Sequence, residues 1–199
     1  MPLMPFISST ARAASAGGGG NNDYLKIKKD KEGDITRFKI LSKEPLEYWT
    51  AWGTDKETGK GKPFRFISQP TDSEIDGEMG PNFERAKQWQ SEDPRPAVFA
   101  LSFFVWSYED EKVMVFELDK KTLIRELDNI SSQEEYSDVN EYDFSITYKG
   151  PNNGWYSIMP IPSKKGMSET IEQAWSEAQE KGYSLQPLLV GGSPFGESK

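Results

Sequence analysis

Residues 94–130, PRPAVFALSFFVWSYEDEKVMVFELDKKTLIRELDNI, are the stretch whose reading decides the fold. The pattern predicts a long strand, a short charged turn, a second strand and a helix. From Ala97 to Tyr108 twelve residues pass without a charge, which at about 3.3 Å per residue exceeds most strands and requires curvature. Long curved strands belong to small barrels. Alternation places Phe99, Leu101, Phe103 and Val105 on one face. Val98, Ala100, Ser102, Phe104, Trp106 and Tyr108 fall on the other. Only one of those faces can be the core, so the second is expected to end in a half-exposed aromatic platform beside Glu109, Asp110 and Glu111.

Outward from this unit, Asp119 is placed to cap a helix whose Leu123, Ile124, Leu127 and Ile130 form one apolar stripe, a plug for a barrel. Upstream, Ile35–Leu41 and the LEYWTAW segment (46–52) read as extended. A glycine-rich basic hairpin tip (53–63) then leads into a strand at Phe64–Ile67. Residues 69–82 read as an acidic loop and Phe83–Gln90 as a short helix, halted by Pro94 and Pro96. Downstream, Tyr142, Phe144, Ile146 and Tyr148 alternate with polar residues, Gly150–Gly154 form a turn, and Trp155–Ile161 return. A last helix spans about Glu169–Lys181, with Ser168 as its cap and Gly182 as its stop.

These elements divide the chain into an Ala/Ser/Gly-rich arm (1–22), a domain (23–162), a C-terminal helix (163–182) and a Gly/Ser/Pro-rich tail (183–199), read as a flexible docking tail. The domain is expected to be mainly β with short helices, an OB-fold-like antiparallel barrel.

The 199 residues include no cysteine and no histidine, which removes disulfides, thiolate metal sites and His- or Cys-based nucleophile systems. The many carboxylates lie in turns and loops, with no spacing that signals glycoside hydrolysis or a two-metal site. The glycine-rich stretches fit neither a phosphate loop nor a dinucleotide fingerprint. A non-enzyme needing no cofactor or metal is expected. No apolar run reaches signal-peptide or membrane-span length, so a cytoplasmic location without membrane contact is expected.

The net charge of −8 is uneven. Residues 1–66 carry 12 Lys/Arg against 8 Asp/Glu, and residues 67–199 carry 12 against 24. A cationic front suits a polyanion. Aromatics interleave with cations: Tyr48 and Trp52 beside Lys56, Lys60, Lys62 and Arg65, then Arg85, Lys87 and Trp89, then Phe104, Trp106 and Tyr108, with Lys149 on the last hairpin. Bases stack on aromatics and phosphates need cations, so this set predicts sequence-independent single-stranded DNA binding. Trp49, Phe99 and Phe103 are expected in the core. The alternative is a non-catalytic protein-interaction module that uses the acidic face of a β barrel.

The succession of YWTAW, KPFRF, FALSFFVW, VFELDKKTLIRELDNI, YDFSITYKG and WYSIMPIP resembles bacteriophage single-stranded DNA-binding proteins of the OB-fold type over about residues 24–165. The strand-to-helix unit and the final hairpin are its most specific parts, with Tyr156 where such proteins usually have a tyrosine before an apolar pair and a proline. The resemblance implies coating and protection of single strands during phage DNA replication and recombination, with replication or recombination proteins recruited through the C-terminus. Family members often end in a strongly acidic tail. This chain departs from that pattern, ending SPFGESK with Phe195 as a small anchor.

Overall fold

The charge-free run becomes a strand buried on both faces. A computed structural model describes residues 23–196; the arm at 1–22 lies outside them. In chain order the strands are β1 (Ile35–Ile40), β2 (Leu46–Asp55), β3 (Gly61–Phe66), β4 (Phe83–Arg85), β5 (Val98–Ser107), β6 (Lys112–Leu118), β7 (Asp143–Gly150) and β8 (Trp155–Ile161). The helices are α1 (Asp72–Met79), α2 (Lys121–Ser131) and α3 (Ser168–Glu180), joined by short 3₁₀ turns. All eight strands form one antiparallel sheet in the order β3-β2-β5-β1-β7-β8, with β6 on β5 and β4 on β2. The length of β5 has a structural use. Its first half pairs with β2 from Val98 to Ser102 and its end pairs with β1 from Val105 to Ser107, while β6 follows it from Leu101 to Ser107.

Leu101, Phe103 and Val105 point into the main core with Phe38, Ile40, Phe116, Phe144 and Ile146. The Phe38 and Phe103 rings lie 5.1 and 5.8 Å from Phe116, within the range of favourable edge and offset packing. The apolar stripe of α2 completes this core through Leu123 and Leu127. The helix begins one position later than the sequence suggested. Lys120 occupies its N-cap without a side-chain cap, and the Asp119 carboxylate accepts from Lys120 Nζ instead.

The sheet does not close on itself, since β6 and β8 do not pair. The segment after Asp23 fills part of that opening: Tyr24 bridges Val115 in parallel, Leu25 N–H donates to the Val115 carbonyl at 2.8 Å, and Leu25 and Ile27 pack on the core. On the other side, the α2 carboxylate Glu126 accepts from Ile158 N–H of β8 at 3.0 Å. Pro160 of β8 and Pro63 of β3 carry no N–H, which blunts both terminal strands against pairing with another chain.

The opposite face of β5 is not an open platform. Phe104 and Trp106 are each only 3% exposed. Phe104 packs against Trp175 of α3 at 5.3 Å, Tyr183 at 5.7 Å and Phe195 at 6.5 Å, and Leu188 is buried in the same cluster. Residues 183–195 are therefore a fold element and not a flexible tail, because Tyr183, Leu185, Leu188 and Phe195 pack on this one apolar surface. The linker into α3 is stapled down as well. The fully buried Asp143 carboxylate accepts from Arg37 and from Lys164 N–H, Arg37 also donates to the Pro162 carbonyl, and Lys39 donates to Ser163 Oγ at 3.3 Å.

Two local readings reverse. Within 69–82, α1 forms because Thr71 and Glu74 make a reciprocal capping box, and Gly80 ends it at φ 65°. Phe83–Gln90 is not a helix: Phe83–Arg85 pair with β2 and the Phe83 ring packs on Phe64 at 5.1 Å. Gly53 permits this corner to close, since a Cβ there would meet Met79 and Phe64 at 3.1 Å. Among the described residues no helix is long and apolar enough to cross a membrane.

Candidate nucleic-acid interface

The structure sorts the expected binding residues by burial. Tyr48 is fully buried and shares a 2.7 Å hydrogen bond with Ser102, so burial pushes its phenol far above the ordinary value. It is a core residue, and its neighbour Trp49, expected inside, is half-buried against Phe99. Phe99 is likewise half-buried, and Phe103 lies in the core as expected. Phe104 is excluded as a stacking surface by the C-terminal segment over it, and Trp106 by its own burial. Tyr108 is half-buried, with the Arg37 guanidinium 4.8 Å and the Lys164 ammonium 5.7 Å from its ring centroid. Cations thus occupy its ring. Its phenol is pushed up, first by burial and next by Asp143.

Among the cations, Arg65 donates to Glu117 at 2.8 Å and lies 5.4 Å from the Tyr48 ring, while Arg85 is held by Asp72 at 2.6 Å and sits near Asp76. Both guanidinium side chains are buried, so they serve the fold. Lys87 pairs with Glu92 at the surface. Lys56 donates to the Pro81 carbonyl at 2.7 Å, and Lys62 sits over Phe64 and Phe83 at 4.9 and 5.7 Å. Lys60 and Lys149 are exposed and have no acidic partner within salt-bridge distance among the described residues.

Trp52 and Trp89 are the expected aromatics that remain open, 40% and 88% exposed. The hairpin separates Trp52 from its lysine. Trp52 opposes Pro63 whereas Lys62 opposes Gly53, so alternation puts the two side chains on opposite faces. Trp89 lies on the 86–97 loop, in a hollow of about 640 Å³ with Lys87, Arg95 and Pro96.

A larger feature escaped the sequence reading. The segment Tyr24–Asp30 and residues of strand β6 line a groove of about 650 Å³, together with Lys120 and Tyr156; Lys26, Lys28 and Lys29 belong to its first wall. Tyr24, Glu117 and Asp119 also line a second hollow of about 460 Å³ that holds Trp52, Pro63 and Arg65. The shared residues make the two hollows neighbours along one track from Tyr156 to Trp52. Burial pushes the phenols of Tyr24 and Tyr156 above their ordinary values. Two of the four lysines hold internal partners: Lys28 pairs with Glu109 at 2.8 Å and Lys120 with Asp119 at 2.5 Å. The Glu109 hydrogen bond holds the Lys28 ammonium above its ordinary value. The signal for this groove was the KIKK cluster at 26–29, which reads as the run-up to a strand until it is placed against β6.

Among the described residues no group of three or more His, Cys, Asp or Glu could hold a metal ion. The track brings together the rings of Tyr24, Trp52 and Tyr156, four lysines and the carboxylates of Asp30, Glu109, Asp110, Glu117 and Asp119. Comparison with protein-family models, with curated proteins and with solved structures found no match to this chain.

Proposed function

We propose that the protein binds single-stranded DNA without sequence preference and without catalysis, as an OB-type domain that coats and protects single strands during phage DNA replication and recombination. The observation that carries this reading is the pair of adjoining hollows, lined by the rings of Tyr156, Tyr24 and Trp52 and by Lys26, Lys28, Lys29 and Lys120. A single strand has free bases to stack on rings and a flexible backbone that follows lysines around a curved wall.

Trp52 supplies the test, because it is exposed and its loss leaves the core intact. Trp52→Ala is expected to weaken oligo(dT) binding by roughly 1–3 kcal/mol, the contribution of one stacked base, with an unchanged urea midpoint. Oligo(dT) affinity equal to wild type in Trp52→Ala and in a Tyr156→Ala variant would overturn the reading.

A further inference from the structure

The groove that would hold the strand is walled by carboxylates as well as lysines, an arrangement that a simple polyanion site would avoid. Glu109 and Asp119 each hold one of its cations, Lys28 and Lys120, and Asp119 lines both hollows of the track. The four side chains are between 27% and 60% exposed, so these pairs sit in the path of an incoming backbone and not in the core. Asp30, Asp110 and Glu117 line the groove as well.

We infer that Glu109 and Asp119 are specificity-determining residues that make the groove select single strands over duplex. This rests on the single-strand reading above and deepens it. A phosphate that reaches Lys28 or Lys120 must displace a carboxylate, which then remains as a nearby negative charge. A flexible strand meets that condition one phosphate at a time and turns its other phosphates toward Lys26 and Lys29. Duplex DNA carries one charge per about 1.7 Å of axis on a stiff rod, so it brings several phosphates against both carboxylates at once. Such like-charge juxtaposition is the repulsive element by which an interface rejects a wrong partner.

The test compares Glu109→Gln, Asp119→Asn and the double variant with wild type, using oligo(dT) and a duplex of equal length in fluorescence anisotropy. Both side chains are exposed enough for the amide replacements to leave the fold alone, and the urea midpoint checks this; Glu109→Gln, at the more exposed site, suffices by itself if the double variant unfolds. The expected result is a rise in duplex affinity of about 10-fold with a rise of only about 2–3-fold for oligo(dT), a smaller single- to double-strand ratio. An unchanged or larger ratio, or a loss of affinity for both ligands, overturns the inference. If wild type fails to bind oligo(dT), the single-strand reading falls and this one with it; if wild type binds and Trp52→Ala weakens binding while the ratio stays fixed, this inference alone falls.

Discussion

Phe104→Ala is expected to be among the costliest single truncations in the chain, although Phe104 lies on the sheet face away from the main core. Its ring is 3% exposed and meets Trp175, Tyr183 and Phe195 at 5.3–6.5 Å. Removing a buried phenylalanine ring costs roughly 3–5 kcal/mol when the surroundings cannot collapse. For a chain of this size each kcal/mol moves the melting temperature by roughly 2–4 °C, so the expected drop is about 6–20 °C. The same ring anchors α3 and the C-terminal segment, so deleting residues 183–199 should reproduce much of the loss by uncovering Phe104 and Val115. Trp89→Ala is the control. That side chain is larger but 88% exposed, and its replacement should stay within about 0.5 kcal/mol of wild type. Urea unfolding followed by circular dichroism measures all three. A loss below about 1 kcal/mol for Phe104→Ala, together with an unaffected deletion variant, would refute the reasoning and return the outer face of β5 to solvent.

Further outcomes follow from the same contacts. Arg37→Met leaves the Asp143 carboxylate buried with its main partner gone; because Arg37 is itself about a third exposed (34%), the expected loss is about 2–3 kcal/mol, below the roughly 3–5 of a fully enclosed pair, and an unchanged urea midpoint would show that the linker staple is idle. Tyr48 has a phenol pKa raised above its unfolded value of about 10. Its contribution to stability is complete below that pH and is lost as pH rises above it toward the raised folded value, so the urea midpoint should fall as pH rises past about 10, less steeply in Tyr48→Phe; parallel profiles for the two proteins would contradict this. Thr71→Ala removes the capping box of α1 and should cost about 1 kcal/mol, read from the same unfolding curves.

Much of the strand framework was legible because both signals for it are local. The uncharged run at 97–108, the alternation at 142–149 and the 150–154 turn each specify an element without reference to the rest of the chain. The helix at 121–131 announced itself through Leu123 and Leu127 in the same way. Burial was harder to read where a distant segment supplies it. Nothing within FFVWSY says that Tyr183, Leu188 and Phe195 will cover Phe104, so that ring looks like part of a platform until the C-terminus is placed. Tyr48 and Arg65 misled for a related reason: an aromatic beside a cation is the pattern of a nucleic-acid site, and it is equally the pattern of a guanidinium packed over a ring and paired with Glu117. The groove stayed hidden because its walls, Tyr24–Asp30 and β6, lie about ninety residues apart and face each other only after folding. The helix at 72–79 was legible in principle through Thr71 and Glu74, but its acidic composition resembled a loop.

Intrinsic tryptophan fluorescence during titration with an oligo(dT) of ~16 nucleotides, the upper end of the span of one OB domain, tests the central claim most directly when repeated across a salt series. The account predicts a saturable change that is reduced in Trp52→Ala, an affinity that falls as salt rises by about 0.7 log units per log unit for each phosphate contact, and much weaker binding of a duplex of the same length. No spectral change at low salt, or a salt-independent affinity shared equally by single strand and duplex, would contradict it.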